Sequence, residues 1–254
     1  MYPVFTLGGM EIHAYALFTW IGAAAAFLLA LPALKRFGMT AAQAAAALLL
    51  MCACFLAGAR LWNVAVNPDN FLGSLKWYTL KLAGLSLYGG LFAATAALAL
   101  YAKAKRVEIL RVLDAMTVPG GVAFCFARLG CFLNGCCSGI ATNGPFGVVF
   151  PGNALPEGSL PGLLSFVNSR PVHPTQLYEL AGAAIGLAGA VWLSRKRFPQ
   201  PGARFFLYAA FFSAARLLVL PLRVLPYPAV ISNIFYPGLY LAIILFCAAK
   251  LRRL

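Results

Sequence analysis

"AYALFTWIGAAAAFLLALPAL", residues 14–34, runs for 21 positions without a charge. The hydrocarbon core of a bilayer takes about 20 apolar residues of helix, so this stretch is long enough to cross one. The rest of the chain agrees with it. Of 254 residues, 62% are hydrophobic and 10% charged, whereas soluble domains carry about 25% charged residues. Comparable apolar stretches recur at 41–62, 84–102, 116–133, 176–194, 205–222 and 231–249. No polar block between them is large enough to form a second domain. The sequence therefore predicts an all-α, polytopic membrane protein: seven transmembrane helices in one domain, residues 1–254.

Charge gives the expected orientation. No Lys or Arg precedes the first stretch, Glu11 does, and Lys35-Arg36 follow it. That is the reverse of a cleavable signal peptide and predicts an external amino terminus. The net charge of +14 is concentrated in short clusters. Lys35-Arg36, Lys103/Lys105/Arg106/Arg111, Arg195-Lys196-Arg197 with Arg204, and Lys250/Arg252/Arg253 fall in loops one, three and five and the carboxyl tail. With seven alternating helices these all lie on one side, the cytoplasmic side by the positive-inside rule. The basic excess thus encodes topology and attraction to anionic lipid rather than nucleic-acid binding, and the carboxyl terminus is cytoplasmic.

Seven basic residues remain for the outer half: Arg60, Lys76, Lys81, Arg128, Arg170, Arg216 and Arg223. Arg128, Arg216 and Arg223 fall inside or at the edge of predicted spans, where a charge at mid-bilayer costs at least about 2.5–3.5 kcal/mol. Arg216 and Arg223 are seven apart, which on a continuous helix is two turns on nearly one face, about 10 Å along the axis. A guanidinium fork matches phosphate oxygens as an ammonium does not, so this ladder, joined by Arg128, predicts a phosphate site.

Arg128 opens "RLGCFLNGCCSG", in which Gly130 and Gly135 allow close backbone approach and Asn134 offers both donor and acceptor. Cys131, Cys136 and Cys137 invite a metal reading. Adjacent cysteines fit two corners of a tetrahedron poorly, however, and no second C-x₂₋₄-C half is present, so no metal is expected. That leaves a disulfide from Cys131 to one of the other two, or free thiols packed as small hydrophobes. Cys52, Cys54, Cys125 and Cys247 lie within spans and are expected to pack. In "LSLYGGLF", residues 85–92, Tyr88 precedes Gly89-Gly90 at a helix start, where open backbone N–H groups and the helix dipole favour an anion. In "PVHPTQLYE", residues 171–179, Thr175 is placed to cap a helix with Glu179 in its first turn. His173, Gln176 and Tyr178 enter the same outer interface.

In these motifs the chain resembles the bacterial prolipoprotein diacylglyceryl transferases, from "HAYALF" in the first helix through "GARLWNVAVN", "YGG", "RLGCFLNGCCSG", "PFGVVFP" and "HPTQLYE" to the Arg216/Arg223 pair. The resemblance implies a multi-pass enzyme of the bacterial inner membrane that needs no cofactor. Its partners would be phosphatidylglycerol, the signal peptides of preprolipoproteins and membrane lipid. It would move the diacylglyceryl group of the lipid onto the lipobox cysteine thiol, forming a thioether and releasing glycerol phosphate. It implies catalytic roles for Tyr88 and Arg216. Arg128, Asn134, Arg223, Gly89, Gly90, Tyr15, His173, Gln176 and Tyr178 would bind substrate. The chain departs from the family's better-known members, which carry histidine at Tyr88, asparagine at Cys131 and glutamate at Cys136; "SNIFYPG" replaces a Gly-Gln before the last helix. An ordinary phenol, of pKa about 10, is a poor base at neutral pH. The departures keep two alternatives open, a same-fold transferase with another acceptor or lipid and a membrane thiol redox protein.

Overall fold

The computed structural model describes residues 4–7, 10–67, 85–150, 170–225 and 227–254. Lys76, Lys81 and Gly84, named above, lie outside them. A short antiparallel hairpin, β1 (Val4–Leu7) and β2 (Met10–His13), leads into the first helix. The membrane-length helices among the described residues are α1 (Ala14–Lys35), α2 (Ala41–Val66), α3 (Leu87–Ala104), α4 (Ile109–Asn134), α5 (Thr175–Lys196), α6 (Ala203–Val219) and α7 (Ile231–Leu251). A 3₁₀ turn, Leu220–Leu222, extends α6, and α7 opens with a π turn, Ile231–Phe235. Seven apolar helices therefore match the expected number, with the hairpin the only addition to an all-α fold among the described residues. The largest boundary difference is in α4. It starts seven residues before the expected Met116 because Arg111 and Asp114, too polar for the apolar window, are helical.

Local chemistry sets the ends. Thr40 and Gln43 form a reciprocal capping box at the start of α2, which satisfies two otherwise orphaned N–H groups. Gly135, at φ 74°, closes α4 in the left-handed conformation that glycine adopts without a Cβ clash. The helices pack chiefly in the pairs α1 with α4, α2 with α3, α5 with α6 and α6 with α7. Small residues allow these approaches, as is usual where lipid removes the hydrophobic drive between helices. A Cβ on Gly58 would sit 2.6 Å from the Gly89 carbonyl oxygen, and one on Gly182 would sit 2.7 Å from the Ala215 Cβ.

Two interiors result. At the end carrying the basic loops, Leu34, Met39, Leu48, Leu98, Val112 and Leu113 join α1 through α4. In the opposite half, an aromatic interior of Tyr88, Phe212, Tyr236 and Tyr240 joins α3, α6 and α7, with Ala183 of α5 against it. Large apolar side chains cover the outside, including Trp20 and Leu28 at 71% exposure and Leu218 at 78%. A surface this apolar is stable only against lipid.

One polar contact ties the basic-loop end together. The Asp114 carboxylate, on α4, accepts from the backbone N–H of Gly202 and of Phe205, each at 2.8 Å, and so caps the start of α6 from a neighbouring helix. Hydrogen bonds to a charged group contribute about 1.5–3 kcal/mol each at most, and an orphaned donor costs about 1–3 kcal/mol. Asp114→Ala is expected to destabilise the folded protein by about 2–3 kcal/mol, read as a lower thermal midpoint in detergent. An unchanged midpoint would remove this cap from the account.

Candidate active site

The half of the bundle opposite the basic loops is organised on one carboxylate. Glu179 has a side chain 1% exposed and meets three guanidinium groups from separate segments. Arg128 Nε on α4 lies 2.9 Å from Oε2. Arg216 Nη1 on α6 donates to Oε1 at 2.7 Å, and Arg223 Nη1 donates to the same oxygen at 2.6 Å. Arg128 also lies over the Phe124 ring, 5.0 Å from its centroid, and Arg216 lies 5.9 Å from that of Tyr88. Three positive charges against one negative leave two unmatched. The arrangement suits an anion that carries up to two charges.

The convergence corrects the expected ladder. The α-helix ends at Val219, and Leu220–Leu222 tighten into a 3₁₀ turn around Pro221, which lacks a donor. Arg223 is extended, at φ −94° and ψ 143°. The two arginines are therefore brought onto one oxygen instead of standing two turns apart. The predicted cap at the start of α5 is corrected as well. Pro174 occupies the N-cap without a side-chain bond, Thr175 is the first helical residue, and Glu179 lies beyond the first turn. The Thr175 hydroxyl serves elsewhere, donating to the Cys137 carbonyl at 2.9 Å.

Residues 135–150 fold back over the start of α5. Gln176, fully buried, donates from Nε2 to the Cys136 carbonyl at 2.7 Å. Gly139 N–H donates to the His173 carbonyl at 2.9 Å, and Ile140 N–H to that of Leu222 at 2.9 Å. A Cβ on Gly139 would lie 2.7 Å from Thr175 Cγ2. The ends of α4 and α6 and the start of α5 thus form one hydrogen-bonded knot beside the arginines.

Of the other predicted residues, Tyr88 is buried against Tyr240, Phe92 and Phe212, and Ser213 faces its hydroxyl without a well-formed hydrogen bond. Asn134 is buried, and its Oδ1 makes no hydrogen bond among the described residues. Tyr15, on α1, is within electrostatic reach of Arg128, Cys131, Cys136 and Cys137. His173 Nδ1 and the Tyr178 hydroxyl pair with each other at 3.2 Å. Gly89 and Gly90 are pressed against Gly58, Trp62 and Phe55 of α2, and Gly90 N–H is already bonded to the Ser86 carbonyl. They are sites of close helix packing.

All seven cysteines are free thiols, so the expected alternative of a Cys131 disulfide does not hold. The Sγ atoms of Cys131, Cys136 and Cys137 nevertheless lie within 4.8 Å of one another. Cys137 is left-handed, at φ 64°, which for a residue with a Cβ costs about 1–2 kcal/mol. Its thiol is held well below the ordinary value by hydrogen bonds from the Cys131 and Cys136 thiols, with Arg128 and Arg223 adding to the effect. Cys136 is pushed well above that value by the same shared bonds.

Fold and site together define a multi-pass membrane protein with a buried cationic cluster near one end of the bundle. The family model for prolipoprotein diacylglyceryl transferase matches residues 3–251, and the chain belongs to that family. The phosphatidylglycerol–prolipoprotein diacylglyceryl transferase of Clostridium tetani (strain Massachusetts / E88) is 27% identical over 88% of this chain and 86% of its own length. The protein of the same name from Geobacter sulfurreducens (strain ATCC 51573 / DSM 12127 / PCA) is 30% identical over 85% and 80%. That of Pseudoalteromonas atlantica (strain T6c / ATCC BAA-1087) is 31% identical over 78% of this chain and 66% of its own length.

Glu179 was the functional residue that sequence reasoning missed. Removing one partner of a buried ion pair costs about 3–5 kcal/mol, because the remaining charge is stranded. Glu179→Gln is expected to lose about that much stability, seen as reduced accumulation and a lower unfolding temperature in detergent. If the variant unfolds with the wild type, Glu179 does not anchor the arginines.

Proposed function

We propose that this chain transfers the diacylglyceryl group of phosphatidylglycerol to the lipobox cysteine of preprolipoproteins, in the bacterial inner membrane, with its amino terminus outside and its carboxyl terminus in the cytoplasm. The carrying observation is the pocket that Arg128, Arg216 and Arg223 build on Glu179, two charges in excess. A phosphodiester enters with one negative charge. Attack by a thiolate on the glycerol carbon breaks the C–O bond and leaves glycerol phosphate with two. Fixed guanidinium donors in a water-poor site stabilise the charge that grows as that bond breaks. Arg128 and Arg216 take the phosphate oxygens and Arg223 supports them. Asn134, Tyr15 and Tyr88 shape the headgroup and reacting centre. Gln176 and the His173–Tyr178 pair hold the loop that forms one wall.

The arginine cluster lies at the end of the bundle opposite the basic loops, which supports an outer-side site with those loops cytoplasmic. Toward the basic-loop end, α4 and α5 border an open, mostly apolar cleft of about 900 Å³, lined by Val118, Val122, Phe126, Leu187, Val191 and Trp192 together with Arg195 and Lys196. Its apolar stretch supports a place for acyl chains.

The reading is tested with purified protein, phosphatidylglycerol vesicles and a lipobox peptide, scoring glycerol phosphate release and thioether formation. Failure of both, in conditions where another family transferase works, would end it. Arg128→Lys and Arg216→Lys keep the charge and lose the planar fork. Each is expected to insert and fold normally yet turn over at least about tenfold more slowly, equivalent to about 1.4 kcal/mol in the barrier. Arg170→Ala, on an exposed loop, is expected to match the wild type. Near-normal turnover in both lysine variants would remove the bidentate phosphate role.

A further inference from the structure

The proposed reaction needs a thiolate at the acceptor, and neither Tyr88 nor His173 stands ready to make one. Tyr88 is a buried phenol, and His173 Nδ1 is engaged with Tyr178. Three sulfur atoms stand in that neighbourhood instead. Cys131 Sγ comes from the last turn of α4, and Cys136 and Cys137 Sγ come from the loop that follows. The left-handed backbone at Cys137 lets two adjacent side chains join one cluster, the geometry that adjacency alone argues against.

We infer that Cys131, Cys136 and Cys137 form a three-thiolate site for a soft divalent ion, zinc by chemistry, whose fourth position binds and deprotonates the acceptor cysteine. Sulfur ligands select zinc over hard cations. Bonds of about 2.3 Å place tetrahedral sulfurs about 3.8 Å apart, so the present separations, within 4.8 Å, require only a modest contraction. No fourth His, Cys, Asp or Glu joins the cluster among the described residues. Three protein ligands and an open position are the pattern of a catalytic site, whereas structural zinc is closed by four. Cys131 is a buried residue and Cys136 and Cys137 are half-buried ones.

The surroundings agree in charge. Three thiolates on a divalent ion carry one net negative charge, and Arg128 and Arg223 lie within electrostatic reach of Cys137. The loop is held from behind by Thr175 and Gln176 through the carbonyls of Cys137 and Cys136, which leaves the sulfurs unencumbered by those bonds.

The step, which rests on the transferase reading, balances as follows. The acceptor thiol coordinates the ion and loses its proton to water, as a coordinated thiol does. The sulfur stays nucleophilic because the other three ligands already neutralise the ion. Its electron pair forms the new S–C bond to the glycerol carbon. The C–O pair leaves with glycerol phosphate into the arginine pocket, and the ion keeps its oxidation state throughout.

The test uses the full chain purified in detergent, stripped with a chelator and reloaded with Zn²⁺ or Co²⁺. About one ion per chain is expected, with the cobalt form showing thiolate charge-transfer bands and the visible bands of a tetrahedral centre. Cys52→Ser, on an exposed cysteine of α2, is expected to bind as the wild type does. Cys137→Ser and Cys136→Ala are expected to bind at least about tenfold more weakly, with folding checked by gel filtration. A lipobox peptide is expected to shift the visible bands, and its Cys→Ser form is not. Stripped protein is expected to lose turnover and regain it with Zn²⁺. Absence of a stoichiometric ion in the reloaded wild type, or full turnover by the stripped protein, would overturn the metal site and leave the transferase reading intact. A peptide-dependent shift with no lipid transfer would instead keep the thiol-binding metal and overturn the transferase reading.

Discussion

The half of this protein opposite its basic loops depends on a shared carboxylate. Buried guanidinium groups repel one another and lose hydration, and three of them in a low-dielectric bundle would force the helices apart. Glu179 accepts one contact from each, and so fixes α4, α5 and the end of α6 relative to one another at this level of the membrane. It does so at small cost in donors. Three guanidinium groups present roughly fifteen N–H bonds, of which the carboxylate takes two as hydrogen bonds, with Arg128 held to it as an ion pair. Most of the hydrogen-bonding capacity of the cluster therefore remains for a ligand, together with two unmatched charges.

The same geometry explains why the neighbouring loop is tied down so closely. A phosphate pocket discriminates only if its walls keep their positions, and binding groups are held best when their supports are themselves bonded. Here the supports are backbone carbonyls: those of Cys136 and Cys137 held by Gln176 and Thr175, and those of His173 and Leu222 held by Gly139 and Ile140. Side chains that looked like ligand-binding groups in isolation, Gln176 above all, are positioning residues for this wall. The basic-loop end has a parallel device in Asp114, which satisfies the start of α6 from α4. Each end of the bundle thus has a carboxylate, buried at Glu179 and half-buried at Asp114, that locks a helix terminus or an arginine to its neighbour.

Much of this was legible before any coordinates. Lipid permits only long apolar helices, so the spans follow from local sequence. Arg128, Arg216 and Arg223 were conspicuous because charge inside a span is expensive. Their convergence was not legible, since it requires the helix to break at Pro221 and the chain to turn Arg223 back. Glu179 was findable by elimination. The chain has six acidic residues, and this one alone lies inside a span of the outer half among the described residues. Gly89-Gly90 misled because a glycine pair signals close approach without naming what approaches; here it is α2. Adjacency hid the cysteine cluster, because the sequence does not display the left-handed turn at Cys137.

These observations separate two tasks within the reaction. Stabilising the departing phosphate requires fixed positive charge in a dry pocket, and the arginines on Glu179 supply it whatever generates the nucleophile. Activating a thiol requires only a group that lowers its proton affinity beside the reacting carbon, and chemically different groups can do that. A phenol at Tyr88, packed between Tyr240 and the Arg216 guanidinium, fits the first task as a wall that keeps water from the arginines, and it is poorly suited to the second. The three thiols at the end of α4 are suited to the second and add nothing to the first. A chain whose arginines stand on Glu179 with Tyr88 packed beside them is then a coherent design for a transferase whose acceptor thiol is activated from the α4 side, where the three thiols lie.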